Sequence, residues 1–344
     1  MSQPQHRPHA TRRRSQCGVL WTLAVACMLL AAPGRDAWGQ GASAPRDVST
    51  AALLRELPGF ESGTAQVNGI RIHYVAGGRG EPLFLLPGWP QTWWQYNRIM
   101  PALARDFRVV AVDLRGMGGS SFPAGGYDKK TMARDVFELA RALGYRRINI
   151  AGHDIGSMVA QSFAFNYPEA TIKLALLDVP HPDQGFAELR MLPELGKFGD
   201  RIDEEHPGYP WWFAFHQVRR LPEEILAGRY AAYQDSLMNY LMRDPASIPA
   251  RDRAVYHAAY ASRDAFQASM EWYRAFPQDI VDIKAYPKLT MPVLGLGATG
   301  YGWLQAALPP VASDFRVVRV PDSGHFVAEE NPDFVIRALR EFFR

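Results

Sequence analysis

Apolar residues along this chain gather into short, nearly continuous runs set between helical stripes. Residues 83–86, 107–112 and 172–177 are such runs, and 147–151 is a fourth that leads into small residues. Strands in a parallel sheet need this composition, because helices bury both of its faces. Residues 130–143 carry Met132, Val136, Leu139 and Leu143 at the spacing of one helix face. Ahead of them, 64–67 and 70–75 read as two short strands around Asn68-Gly69, a hairpin turn signal. Gly77-Gly78-Arg79-Gly80 is a second turn; it lacks the Lys-Ser/Thr of a phosphate loop and no helix follows it. Helices are predicted from near Thr92 and from about Ser157 to Tyr167. Strands return at 293–296 and 315–320, and a helix from about Pro332 to Phe343 closes the chain. Strands alternating with helices predict an α/β chain with a mostly parallel, doubly wound sheet.

The pattern breaks from 179 to about 282. Continuous apolar strands vanish there, and aromatic residues, among them Trp211, Trp212, Phe215, Tyr233 and Tyr273, crowd helix-like segments. A helical insertion at this point lies over the carboxyl ends of the strands, where open α/β sheets bind ligands. Its aromatic content suits a cap with an apolar pocket beneath. The boundaries read as an α/β core at 58–180 and 284–344, a helical cap at 181–283 and a linker at 40–57.

Composition changes this picture mainly at the amino terminus. With 47% apolar and 21% charged residues, the 344-residue chain has an ordinary globular make-up. Its net charge of +3 comes from the start of the chain. Setting aside the five Arg and one Asp of residues 1–39 from 38 basic and 35 acidic residues leaves 33 and 34. The remainder is close to neutral, which gives no support for nucleic-acid binding. Within 1–39, Arg7, Arg12, Arg13 and Arg14 precede an apolar run at 18–32, and Ala37-Trp38-Gly39 offers small residues for a signal peptidase. Export to the periplasm or beyond is the expectation, with no membrane span in the mature chain. Ala24-Val25-Ala26-Cys27 is also similar to a lipoprotein box, the alternative that would tether the protein. Cys17 and Cys27 both lie in this segment, so the mature chain has no thiol for a disulfide, a zinc thiolate site or a nucleophile.

The candidate chemistry centres on Gly152-His153-Asp154-Ile155-Gly156, where a predicted strand turns sharply into a helix. Small residues two positions either side of Asp154 make the pattern of a nucleophile elbow, with aspartate in place of serine. The plainer alternative is an Asp N-cap on an ordinary strand-to-helix turn. Other loops at the same end of the sheet bear on the choice. His325 follows the last strand in Asp322-Ser323-Gly324-His325-Phe326, the place of the base in the chain order nucleophile, acid, histidine. The loop at 297–302, which often supplies the acid, has no carboxylate. Asp178, 24 residues after Asp154, can fill that role from the end of the preceding strand. Backbone N–H groups of Trp89 and Ile155 are the candidate oxyanion hole.

At these residues the chain resembles the α/β-hydrolase superfamily, in its epoxide hydrolase branch, over roughly 60–344. Pro87-Gly88-Trp89-Pro90 is similar to that family's His-Gly-x-Pro motif, Gly152–Gly156 to its elbow, and Trp272-Tyr273-Arg274 to its cap segment. The stretch from Asp178 to Asp183 resembles bacterial, often exported, epoxide hydrolases whose orienting acid sits there. The resemblance implies an epoxide hydrolase without cofactor or metal. Asp154 attacks an epoxide carbon, Tyr273 protonates the leaving oxygen, and water activated by His325, oriented by Asp178, hydrolyses the alkyl-enzyme ester. The expected substrate is a small apolar epoxide, with Trp211, Trp212 and Phe215 in its pocket; the oligomeric state, a homo-oligomer included, stays open.

One departure stands out. The family usually has a second Tyr or His donor near 210–216, where this chain has Trp211, Trp212 and Phe215, with His216 a weaker candidate one turn away. An indole donates a hydrogen bond but is no proton source near neutrality. That keeps a dehalogenase reading open, because a halide leaving group needs donors and no proton. Haloalkane dehalogenases typically place Trp after the nucleophile, and haloacetate dehalogenases Arg one and four residues after it. This chain has Ile155 and Met158. A non-catalytic binding protein on a hydrolase scaffold is the third alternative.

Overall fold

The computed structural model describes residues 47–344 apart from Glu204. The expected signal segment lies outside the described residues. Eight strands form one sheet: β1 (Phe60–Val67), β2 (Ile70–Gly77), β3 (Glu81–Leu86), β4 (Phe107–Asp113), β5 (Ile148–His153), β6 (Thr171–Leu177), β7 (Val293–Gly297) and β8 (Phe315–Arg319). Their order is β1-β2-β4-β3-β5-β6-β7-β8. The β1–β2 hairpin pairs antiparallel onto β4, and all remaining pairs are parallel. From β3 the chain first steps to β4 on one side and then crosses back to β5 on the other. The loops after β3 and β5 therefore diverge from adjacent strand ends, with Leu86 paired to Gly152, and open the crevice in which such sheets hold ligands.

Side chains alternate across this sheet, and both faces are apolar. Phe84, Leu86, Val110, Ile150 and Leu174 face the helices Lys129–Ala142 and Ile155–Asn166. Leu83, Leu85, Val109, Ala151 and Leu177 face the opposite side with Val335 and Leu339 of the helix Pro332–Phe343. Burial on two faces accounts for the unbroken apolar runs. Between β6 and β7 the chain builds helices that include Trp211–Gln217, Tyr230–Leu241, Ala250–Ala259, Arg263–Arg274 and Phe276–Ile283. Among the described residues no helix is long and apolar enough to cross a membrane.

Two expectations about elements need correction, and one helix was missed. The helix predicted from Thr92 is a single 3₁₀ turn, Trp93–Tyr96, capped by the Thr92 hydroxyl, with a short helix Met100–Leu103 after it. The elbow helix starts at Ile155, two residues before Ser157. The helix Tyr301–Val311, with Pro309 and Pro310 in its last turn, was not among the predicted elements.

A wholly buried ion pair joins the helix Lys129–Ala142 to the helical insertion. Lys129 Nζ lies 2.9 Å from Asp279 Oδ2 and donates to the Trp272 carbonyl at 2.8 Å. Burial drives the Asp279 carboxyl up, and the Lys129 charge opposes it. Lys129→Met leaves that carboxyl without its cation and is expected to cost about 3–5 kcal/mol in urea denaturation. Adding Asp279→Leu should recover most of the loss. A single-variant cost below about 1 kcal/mol would show that the pair does not hold these elements together.

Candidate active site

The turn at Asp154 is built by its flanking glycines. A Cβ on Gly152 would stand 2.1 Å from the Gly156 carbonyl oxygen, and one on Gly156 the same distance from that of Leu86. Only glycine lets the helix start this close to β3 and β5. Asp154 itself holds φ 50° and ψ −121°, a conformation that costs a non-glycine residue about 1–3 kcal/mol. Its carbonyl accepts from the N–H groups of Ser157 and Met158 at 2.9 and 3.1 Å. Its side chain makes no capping bond among the described residues, so the N-cap alternative does not hold. The strain instead aims a carboxylate away from its own helix.

That carboxylate is held by the neighbouring loop. Trp89 N–H donates to Asp154 Oδ2 at 2.9 Å, and the Ile155 N–H also favours the ionised form. Gly88 allows the approach, since a Cβ there would lie 2.6 Å from the Asp154 Cβ. Burial drives the Asp154 carboxyl up, against the charge of His325 and the two N–H groups.

Asp178 and His325, from separate loops, meet beside Asp154. His325 Nδ1 is 2.8 Å from Asp178 Oδ2, and its Nε2 is 3.8 Å from Asp154 Oδ1. Asp178 Oδ1 accepts from the N–H groups of Ala298 and Gly300 at 2.7 and 2.8 Å. The loop that lacks a carboxylate therefore supplies the donors that orient one from the adjacent strand. Burial works against an imidazolium at His325, but the hydrogen bond and charge of Asp178, with the charge of Asp154, outweigh it and raise its pKa. His325 is also fixed through its backbone: its N–H donates to the Leu241 carbonyl at 3.0 Å, and its own carbonyl lies 2.9 Å from His153 Nε2.

A cavity of about 310 Å³ opens above this group. Asp154, His325, Trp89 and Tyr273 reach it, with Trp212 and Phe213 among its apolar walls. Burial, then the negative charge of Asp154, pushes the Tyr273 phenol well up, and the Trp212 indole opposes this. Tyr273 is thus a neutral phenol that lines the same cavity as Asp154. Trp211 and Phe215 are corrections: among the described residues they do not line the cavity. They stand four apart on the helix Trp211–Gln217 and pack on Tyr233, while Trp212 and Phe213 are buried on the cavity side. His216 is buried against Tyr273, with ring centroids 4.4 Å apart, and pairs with the Tyr233 hydroxyl at 2.6 Å. Trp303 also lines the cavity and was missed with the helix that carries it.

Comparison with known proteins agrees with the fold. Residues 81–210 match the model of the alpha/beta hydrolase fold. The soluble epoxide hydrolase of Corynebacterium sp. (strain C12) is 35% identical over 292 residues, which cover 81% of this chain and 96% of that protein. A fluoroacetate dehalogenase of a Burkholderia species is 30% identical over 299 residues, 83% of this chain and 94% of that protein. The crystal structure of Cfl2 from Burkholderia cenocepacia superposes with a TM-score of 0.73 at 35% identity, covering 83% of this chain and 96% of that one. Fold, site and relatives together make the protein a hydrolase that belongs to the epoxide hydrolase branch of the α/β-hydrolase superfamily.

Proposed function

We propose that the protein hydrolyses an epoxide to a vicinal diol through a covalent ester on Asp154. The observation that carries this reading is Tyr273, a buried neutral phenol in the same cavity as a carboxylate whose Oδ2 is held by Trp89. With Oδ2 held, Oδ1 is the attacking oxygen. It forms a bond to a ring carbon as the ring C–O bond breaks, and the departing oxygen takes the Tyr273 proton. In the second step His325 Nε2 accepts a proton from water, whose oxygen attacks the Asp154 carbonyl carbon. The Trp89 and Ile155 N–H groups hold the oxyanion that forms at Oδ2. Collapse expels the second alkoxide, which takes the proton from His325. The proton left on the regenerated carboxyl returns to Tyr273, and the cycle balances as epoxide plus water to diol.

The walls support an apolar substrate, since Trp212, Phe213, Leu237, Met238 and Trp303 surround the reacting groups. The residues one and four after the nucleophile, Ile155 and Met158, are buried apolar side chains and offer no cation to a substrate carboxylate. A second reading, displacement of halide, is favoured by the Trp212 and Tyr273 donors in one cavity and by the similarity to a fluoroacetate dehalogenase. Export belongs to the proposal on the sequence of residues 1–39 alone.

Incubation with an epoxide panel and a haloalkane panel separates the readings. Diol release without halide release is the expected result. Halide release with no diol from any epoxide would replace the first reading by the second, and no turnover of either panel would leave a binding protein.

A further inference from the structure

One buried carboxyl away from the cavity joins the two loops that converge on Asp154. Glu329 is 2% exposed and lies on the short helix Val327–Glu330, which starts two residues after His325. Its Oε1 accepts from the Tyr256 hydroxyl of the helix Ala250–Ala259 at 2.7 Å, and its Oε2 from the Gln91 side-chain amide. Its backbone carbonyl accepts from Arg98 Nη1 at 2.9 Å. Gln91 is two residues beyond Trp89. The Gln91 N–H closes the turn onto the Gly88 carbonyl at 3.0 Å, and its carbonyl accepts from the Tyr260 hydroxyl at 2.7 Å. The turn that points the Trp89 N–H at Asp154 is thus anchored at Gln91, and one of those anchors is the helix behind the base.

We propose that Glu329 is a positioning residue, which fixes the Trp89 loop and the His325 loop relative to one another through Gln91. It rests on the hydrolytic reading above, because it assigns Glu329 an effect on that reaction without contact with substrate. Neither Gln91 nor Glu329 is a member of the cavity wall. A buried side chain that is satisfied by donors from two separate elements holds both with little freedom, and small misplacements of a catalytic donor are costly.

The groups around the carboxyl set its form. Asp252 and Tyr256 face it from the helix Ala250–Ala259, Tyr96, Arg98 and Gln91 from the loop after β3, and Glu330 from its own helix. Burial, then the charges of Asp252 and Glu330, raise it to about 8, against the Tyr256 hydrogen bond and the Arg98 charge. At neutral pH the protonated form of Glu329 is therefore favoured. The folded state keeps a proton that the unfolded chain loses near 4.5, so this stabilisation is full below that value and is lost as pH rises through about 8. Above it, a charged carboxylate forms in a buried site, and the contact between the loops loosens.

Glu329→Leu removes both acceptors; Glu329→Gln keeps the shape and hydrogen bonding of the neutral acid. Glu329→Leu is expected to lower kcat by about ten- to a hundredfold with KM moved much less. Glu329→Gln should restore most of that loss, and it should hold its activity above pH 8, where the parent declines. Infrared difference spectra of parent minus Glu329→Gln, without substrate, should show a protonated carboxyl band that fades above pH 8. Parental kcat and pH profile in Glu329→Leu would overturn the proposal, as would absence of the band at neutral pH. If none of the three proteins turned over an epoxide, the functional reading would fail, while the band would still report on Glu329.

Discussion

A His325→Gln variant mixed with a turned-over epoxide is expected to gain the mass of one epoxide molecule on the peptide that carries Asp154. Diol release should fall by about a hundred- to ten-thousandfold, the range general-base catalysis supplies. The two steps place different demands on the imidazole. Asp154 Oδ1 needs no base to attack, whereas water near the ester carbonyl needs His325 Nε2, which lies 3.8 Å from that oxygen. The ester therefore forms and stays. Loss of His325 has a second effect whose sign can be worked out. Its charge holds the Asp154 carboxyl down against burial, so without it that carboxyl titrates still higher. Trapping should be more complete in mildly alkaline than in mildly acidic solution, because only the carboxylate attacks. Intact-mass spectra over a pH series read both effects. A variant that gains no mass at any pH, from epoxides the parent converts, would rule out the Asp154 ester.

In the proposed mechanism the ester itself tunes the base. In the free enzyme the charges of Asp178 and Asp154 favour an imidazolium at His325. Esterification removes the Asp154 charge, and with it one of the influences that raise the His325 pKa. The base becomes easier to deprotonate once there is an ester to hydrolyse. The buried Asp178 keeps the ring oriented through Nδ1.

The sheet was legible because its strands are buried on both faces, so Leu83 to Leu86 and Ile172 to Leu177 announce themselves without help from distant residues. The elbow was legible because close packing on both sides of it demands glycine: Gly152 must clear the Gly156 carbonyl one turn on, and Gly156 that of Leu86 on β3. Asp178 could be assigned by what its rival loop lacked, and the structure adds that Ala298 and Gly300 give their N–H groups to it instead. Phase within the cap was not legible. The helix Trp211–Gln217 carries apolar rings on several faces and is about two turns long, so periodicity could not separate Trp212 from Trp211 and Phe215. The Gln91–Glu329 contact spans 238 positions and pairs two ordinary polar residues, which leave no local pattern.

Tyr273→Phe is expected to lower kcat/KM for epoxides by about a hundred- to ten-thousandfold while costing no more than about threefold in substrate binding. The ring oxygen of an epoxide leaves as an alkoxide and must be protonated. Among the described residues two phenols line the cavity, Tyr209 and Tyr273, and Tyr273 is the one on which the negative charge of Asp154 bears. The Trp212 indole can donate a hydrogen bond but keeps its proton. Tyr233 is held in a hydrogen bond to His216, and burial drives its own phenol up. Neither can stand in as a proton source. A halide leaving group makes a different demand: it needs only hydrogen bonds, so loss of one donor should cost about tenfold or less. Trp212→Phe should show the inverse pattern, modest on epoxides and larger on haloalkanes. The pair of variants measured on both substrate classes therefore assigns the leaving group from the enzyme's side. Near-parental epoxide turnover by Tyr273→Phe would remove this residue as the acid, and the proton would then have to reach the cavity as water.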